Sequence, residues 1–169
     1  SKMASLASEV KPFRSLINPD DPRFTQAEGI PKKIQDFCEE HGEIIPETPG
    51  EIIRCIYESL ALRYAQAWKQ LLHHVDEKPN TLHIVGGGCQ DKLLNQLAAN
   101  AIGAKVTAGP VEATGLGNMI IQMMADGAVD SLAEGREIVA ASFPVDTYEP
   151  TDPEIWAPAK ERFAKLSFE

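Results

Sequence analysis

Three consecutive glycines, Gly86-Gly87-Gly88, followed by Cys89, Gln90 and Asp91, are the residues whose types and spacing most suggest chemistry. Backbone without Cβ atoms lets a ligand come close, and a helix beginning just after such a loop offers free N–H groups to anionic oxygen. Nucleotide phosphate is the obvious guest. The run departs from the dinucleotide fingerprint, because Asp91 stands where a third glycine belongs, and no GxxxxGKS or GxxxxGKT run occurs. An ordinary strand-to-helix turn uses the same residues, so the local pattern leaves both readings open.

A second run, Gly109-Pro110-Val111-Glu112-Ala113-Thr114-Gly115-Leu116-Gly117-Asn118, joins a turn to small residues at helical spacing. Ala113 and Gly117 permit close approach of another helix or backbone. Glu112 and Thr114 suit either a ligand contact or, for Glu112, the positive end of a helix dipole, and the second use is the commoner one. The four histidines, His41, His73, His74 and His83, lack HExxH or other metal-ligand spacing. Asp20 and Asp21, set between prolines, read as turn and capping residues rather than as catalysts.

The glycine runs need elements to hold them. Residues 81–85, Thr-Leu-His-Ile-Val, form a short strand candidate entering the triplet. Leu93, Leu94, Leu97, Ala98 and Ala101 recur at helical spacing up to Gly103, and Lys105-Val106-Thr107 starts a second strand. Upstream, Thr48-Pro49-Gly50-Glu51 is a capping box with proline at the first helical position. Ile53, Ile56, Leu60, Tyr64, Ala67, Trp68 and Leu71 then predict one broad buried face as far as about residue 73. A shorter helix is predicted over 31–41 with Ile34, Phe37 and Cys38 inward, closed by Gly42.

Downstream, the pattern predicts a helix over 113–125 with Ile120, Ile121 and Met124 as core contacts. A helix opened by Ser131 with Glu134 follows, then one opened by Asp152-Pro153 that carries Ile155, Trp156, Phe163 and Leu166. Residues 1–30 show stacked turn signals and little periodicity, and read as an irregular wrapped segment. The order predicts an α/β fold, a small parallel or mixed sheet flanked by helices. Two strands are too few for an independent sheet. Residues 142–150 offer a third extended stretch, an edge at most because of their prolines.

Composition narrows the function classes. A 169-residue chain that is 43% hydrophobic and 24% charged falls in the globular range. Its net charge of −9 and lack of a basic stripe argue against nucleic acid as a partner. Three scattered cysteines without CxxC spacing read as reduced, buried thiols, which fits a cytoplasmic location. No apolar run approaches the length of a membrane span, and the first ten residues lack the apolar core of a signal peptide.

The run from His83 to Leu97 resembles the nucleotide loop and following helix of the FGGY carbohydrate kinases, and Gly109 to Asn118 resembles the second signature of the same carboxy-terminal domain. Order and spacing agree with that family over about residues 11–160. Within it, Ile17-Asn18-Pro19-Asp20-Asp21-Pro22-Arg23-Phe24 and Gly88-Cys89-Gln90 are most similar to the branch that phosphorylates L-rhamnulose. Kinases for another deoxysugar or a pentulose stand close by. A module of another class, a non-catalytic nucleotide sensor or interaction domain, would keep the loop without the reaction.

The resemblance implies part of an RNase H-like, actin-like ATPase domain that uses ATP and Mg²⁺. It implies that residues 31–169 are the carboxy-terminal, nucleotide-side lobe. Gly86, Gly87 and Gly88 would form one wall of the ATP site, Gly87 and Gly88 passing near phosphate and ribose, and Gln90 and Asp91 would begin the helix beside the adenosine. The family's Asp-Gly-Thr phosphate motif, its general-base aspartate and its sugar contacts are not found in this sequence. Phosphoryl transfer needs metal, phosphate clamp and base together. The expectation is therefore one lobe of a longer enzyme, inactive alone and prone to self-association through exposed apolar surface.

Overall fold

The computed structural model describes residues 2–166, so residue 1 and residues 167–169, the end of the expected 31–169 lobe, lie outside the description. Helix α1 (Lys2–Ser8) opens the chain, within the stretch expected to be irregular. It is seated where α3 (Pro49–His74) carries Gly50: a Cβ there would lie 2.7 Å from the Leu6 carbonyl oxygen. The absent side chain lets the two backbones meet, a tertiary reason that periodicity in residues 1–30 does not reveal.

The Thr48 capping box forms as expected: Thr48 Oγ1 accepts from the Glu51 amide at 3.2 Å, and Glu51 Oε2 accepts from the Thr48 amide at 3.0 Å. The buried positions of α3 differ from the aliphatic face that its spacing predicts. Cys55, Tyr57, Glu58, Ser59, Ala61, Leu62 and Trp68 are buried, whereas Leu71 is 44% exposed. The cause is the leading segment, whose irregular backbone lies against α3 and needs polar partners. Glu58 accepts from the Phe13 amide at 2.8 Å and Ser59 from the Ile17 amide at 3.0 Å. An aliphatic face would leave those N–H groups unsatisfied in the core.

Helix α2 (Ile30–Glu40) buries Ile34, Phe37 and Cys38 as its spacing predicts, and Gly42 follows at φ 69°. These residues join Leu16, Ile17, Leu62, Leu97, Trp156 and Phe163 in the main core. The three cysteines are buried free thiols.

Strands β1 (Thr81–Ile84) and β2 (Lys105–Ala108) run parallel, Leu82 opposite Val106 and Ile84 opposite Ala108, joined by α4 (Lys92–Ile102). The edge stretch becomes β3 (Asp146–Tyr148), antiparallel to β2 with Thr107 opposite Thr147. The order β1-β2-β3 is thus a small mixed sheet flanked by helices. Ala98 and Ala99 of α4 pack beneath it against Val106, a second small core.

Helix α5 (Ala113–Ala125) has the expected limits, but of its three expected core residues only Ile120 is buried, and Ile121 is 59% exposed. Its partner is α6 (Leu132–Ser142), where Gly135 faces Ile120 so closely that a Cβ would sit 2.5 Å from Ile120 Cγ2. One close helix contact buries one stripe, and Ile121, about 100° round the helix, points away from it. Ser131 caps α6 as expected, while Glu134 reaches one residue further than a capping box requires, to the Asp130 amide. The final element is a 3-10 turn (Pro153–Trp156) leading into α7 (Ala157–Ala164). Trp156, Phe163 and Leu166 are buried, but Ile155 is 52% exposed because it leaves the turn on the outer side. Among the described residues, no helix is long and apolar enough to cross a membrane.

Candidate functional site

Two loops leave the carboxyl ends of the parallel strands side by side, the position at which open α/β sheets bind ligands. They are tied together by backbone. The Gly109 amide donates to the Ile84 carbonyl at 2.9 Å, and the Gly86 amide donates to the Pro110 carbonyl at 3.2 Å. The two glycine runs, far apart in sequence, thus form one surface.

Gly86 adopts φ 77° and ψ −167°, a conformation that only glycine enters readily, and this turns the chain out of β1. Gly87 and Gly88 continue into a 3-10 turn over Gly87–Gln90. Neither has a positive φ, and a Cβ at either would meet no atom within 4 Å. Within this chain, then, the fold requires a glycine at 86 but not at 87 or 88. Gly115 and Gly117 are likewise open on α5.

The end of the triplet is held from below. Asn95, fully buried, donates from Nδ2 to the Cys89 carbonyl at 2.8 Å. Asp91 accepts at Oδ1 from the Leu94 amide at 3.1 Å, capping α4, and at Oδ2 from the Tyr57 hydroxyl of α3. Its carboxylate is therefore engaged in starting α4 and anchoring it to α3. Asn95 and Tyr57 escaped the sequence reading. The signal for Asn95 was a polar residue among the inward positions of an apolar helix; Tyr57 had none, because its partner is distant in sequence.

Beside the loops lies a cavity of about 270 Å³ lined by Cys89, Gln90, Lys92, Gly109, Val111 and Asp146, among others. Of the expected site residues, Gln90 lines this cavity. The exposed Gly87 and Gly88 and the half-buried Gly86 form the loop leading to it, and Asp91 bonds back into the fold. Lys92 and Asp146 face each other across it at 3.7 Å, both largely exposed, so solvent screens the pair. Glu112 stands at the amino end of α5 without a side-chain capping bond, placed to complement the helix dipole. His83 Nδ1 lies 2.6 Å from Thr107 Oγ1 on the sheet, and His41, His73 and His74 each contact a carbonyl one turn back in their own helix or at its end. No group of three or more metal-binding side chains gathers among the described residues.

The strand-helix-strand unit and its two joined glycine loops lie within residues 1–125, which match the FGGY family of carbohydrate kinases, C-terminal domain. The chain belongs to that family. Among its relatives, the rhamnulokinase of Bacteroides thetaiotaomicron is 45% identical over 157 residues, covering 93% of this chain and 32% of the relative. The rhamnulokinase of Pectobacterium atrosepticum is 44% identical over 163 residues, 95% of this chain and 32% of its own length. The chain thus spans about one third of the length of these relatives. A solved xylulose kinase from Rhodospirillum rubrum shares the fold, with TM-score 0.57 and 21% identity over 98% of this chain and 31% of that one. A gluconate kinase from Lactobacillus acidophilus does so with TM-score 0.55 and 21% identity over 70% of this chain and 23% of that one. These likenesses show that the sheet and its flanking helices share the fold of those two sugar kinases.

Proposed function

We propose that this chain is the ATP-facing, carboxy-terminal part of a cytoplasmic kinase that converts L-rhamnulose to L-rhamnulose 1-phosphate. The observation that carries the reading is the open space at Gly87 and Gly88, where this chain's own packing gives no reason to exclude a side chain. A nucleotide lying along the loop gives that reason. The substrate follows from the rhamnulokinase relatives, which match nearly all of the chain.

Bound ATP supplies the phosphoryl group: the sugar 1-oxygen forms a bond to the γ-phosphorus as the bond from that phosphorus to the β–γ bridging oxygen breaks, leaving ADP. In this chain, Gly86 turns the loop toward the cavity, Gly87 and Gly88 leave room along it, and Gln90 offers an amide at the wall. Lys92 supplies positive charge beside the cavity, and Asp91 keeps the start of α4 in register with α3. The base that takes the hydroxyl proton, the sugar contacts and the ligands of Mg²⁺ beyond the phosphates belong to the rest of the enzyme, so the isolated chain is inactive. Its uncovered apolar side chains, Met119 and Ile121 of α5 among them, favour self-association.

The test substitutes Gly87→Val and Gly88→Val in the full-length polypeptide and titrates ATP. The expected result is an unchanged unfolding midpoint with ATP affinity at least about tenfold weaker. Unchanged affinity in a folded variant sinks the assignment. An assay of ATP-dependent phosphorylation across ketoses then decides the sugar, with L-rhamnulose expected to be preferred.

A further inference from the structure

A further cavity lies away from the glycine loops. It measures about 460 Å³ and runs between α3, the carboxyl end of α4 and α7, lined by Leu62, Trp68, Leu72, Ala101, Ile102 and Phe163 among others. The eleven residues of α4 separate it from the loop by roughly 15 Å at the helical rise. Its wall follows α3 from Leu62 to Leu72, again about 15 Å, so it is a trough rather than a compact pocket.

Two lysines, Lys69 on α3 and Lys160 on α7, also line it. Neither appears in any ion pair of the described residues, and neither has an acid three or four places along its helix. Partial burial lowers the Lys160 ammonium pKa, with no acid nearby to offset it. In a chain of net charge −9, an apolar trough with two cations and no anion in its lining is a local reversal of charge. Apolar walls with a few polar groups placed to fix orientation are the usual make-up of a small-molecule site.

We infer that this trough is a second binding site, taking a medium-chain aliphatic carboxylate with its hydrocarbon against Leu62, Leu72, Ile102 and Phe163 and its carboxylate between Lys69 and Lys160. The length along α3 favours a flexible chain over a ring system, and the two lysines in the lining favour an anionic head over an alcohol. The site is independent of the nucleotide loop and of the sugar kinase reading.

The probe is dodecanoate, kept below its micelle concentration, titrated calorimetrically into this chain, with the fluorescence of Trp68, a wall residue, as a second readout. Saturable binding is expected. It should weaken about tenfold when dodecanol replaces dodecanoate and by a similar factor in Lys160→Gln, with Lys69→Gln weakening it less. Both substitutions are at exposed positions, and unchanged thermal melts establish that the variants are folded. Absence of saturable binding, equal affinity for dodecanol, or affinity unaffected by both lysine substitutions overturns the inference.

Discussion

The Tyr57 hydroxyl of α3 donates to the Asp91 carboxylate that caps α4, so the helix following the glycine loop starts at a place fixed by a residue 34 positions upstream. The same acid serves two ends: one oxygen ends the loop and the other docks it.

Tyr57→Phe should lower stability by about 1–2 kcal/mol, the loss of one bond to a charged acceptor, while leaving the cap in place. Asp91→Ala removes both the bond and the cap and should cost more, by about a further 1 kcal/mol. Urea unfolding midpoints of the two variants give the comparison, and an Asp91→Ala effect no larger than that of Tyr57→Phe contradicts the dual role.

Glu58 is fully buried, bonded to Arg54 Nε at 2.6 Å and to the amide of Phe13 at 2.8 Å. Phe13 holds φ 55°, and its carbonyl accepts from Arg162 at 2.6 Å, so Glu58 and Arg162 clamp a left-handed residue from both sides. Glu58→Ala should destabilise the chain by about 3–5 kcal/mol, because it leaves the Arg54 charge without its partner in a largely buried setting. Chemical denaturation measures this, and protease cleavage within residues 9–21 should rise with it.

Gly50→Ala and Gly135→Ala should each cost about 1–3 kcal/mol, through contact with the Leu6 carbonyl and with Ile120 respectively. Gly117→Ala, also helical but open on its outer side, should stabilise this isolated chain by about 0.5–1 kcal/mol. Thermal melts of the three variants check the contrast; equal shifts in all three would mean that packing does not distinguish these positions.

Backbone hydrogen bonds from Thr48 and Glu47 lower the pKa of Glu51 below the ordinary 4.5, with the Arg14 charge assisting. A carboxylate with a depressed folded-state pKa stabilises the fold above its unfolded value, and that contribution is lost as pH falls through the folded one. Glu58 acts in the opposite sense: burial, outweighing Arg54, raises its pKa, so its contribution declines as pH rises from the ordinary glutamate value through the raised one. Glu51→Gln should therefore be less stable than the parent at neutral pH, with the gap closing below about pH 4. Paired denaturation curves at pH 7 and pH 3 test this, and a constant gap rules it out.

Local chemistry made much of this protein legible from sequence. The Thr48 box, the Gly42 and Gly103 helix ends, and the strand-helix-strand order around the triplet rest on contacts within a few residues, and the two glycine runs carried the family. Longer contacts were hidden. Helix α1 depends on a close approach to Gly50, the burial of Glu58 and Ser59 on an irregular backbone lying against α3, and the exposure of Ile121 and Ile155 on which single face of each element finds a partner. At the candidate site, the sequence by itself determined which backbone can bend at Gly86 and which loop can admit a ligand at Gly87 and Gly88. Only the tertiary structure decided that Asp91 turns inward to Tyr57 while Gln90 lines the cavity, because side-chain direction at a helix start is set by the neighbour across the core.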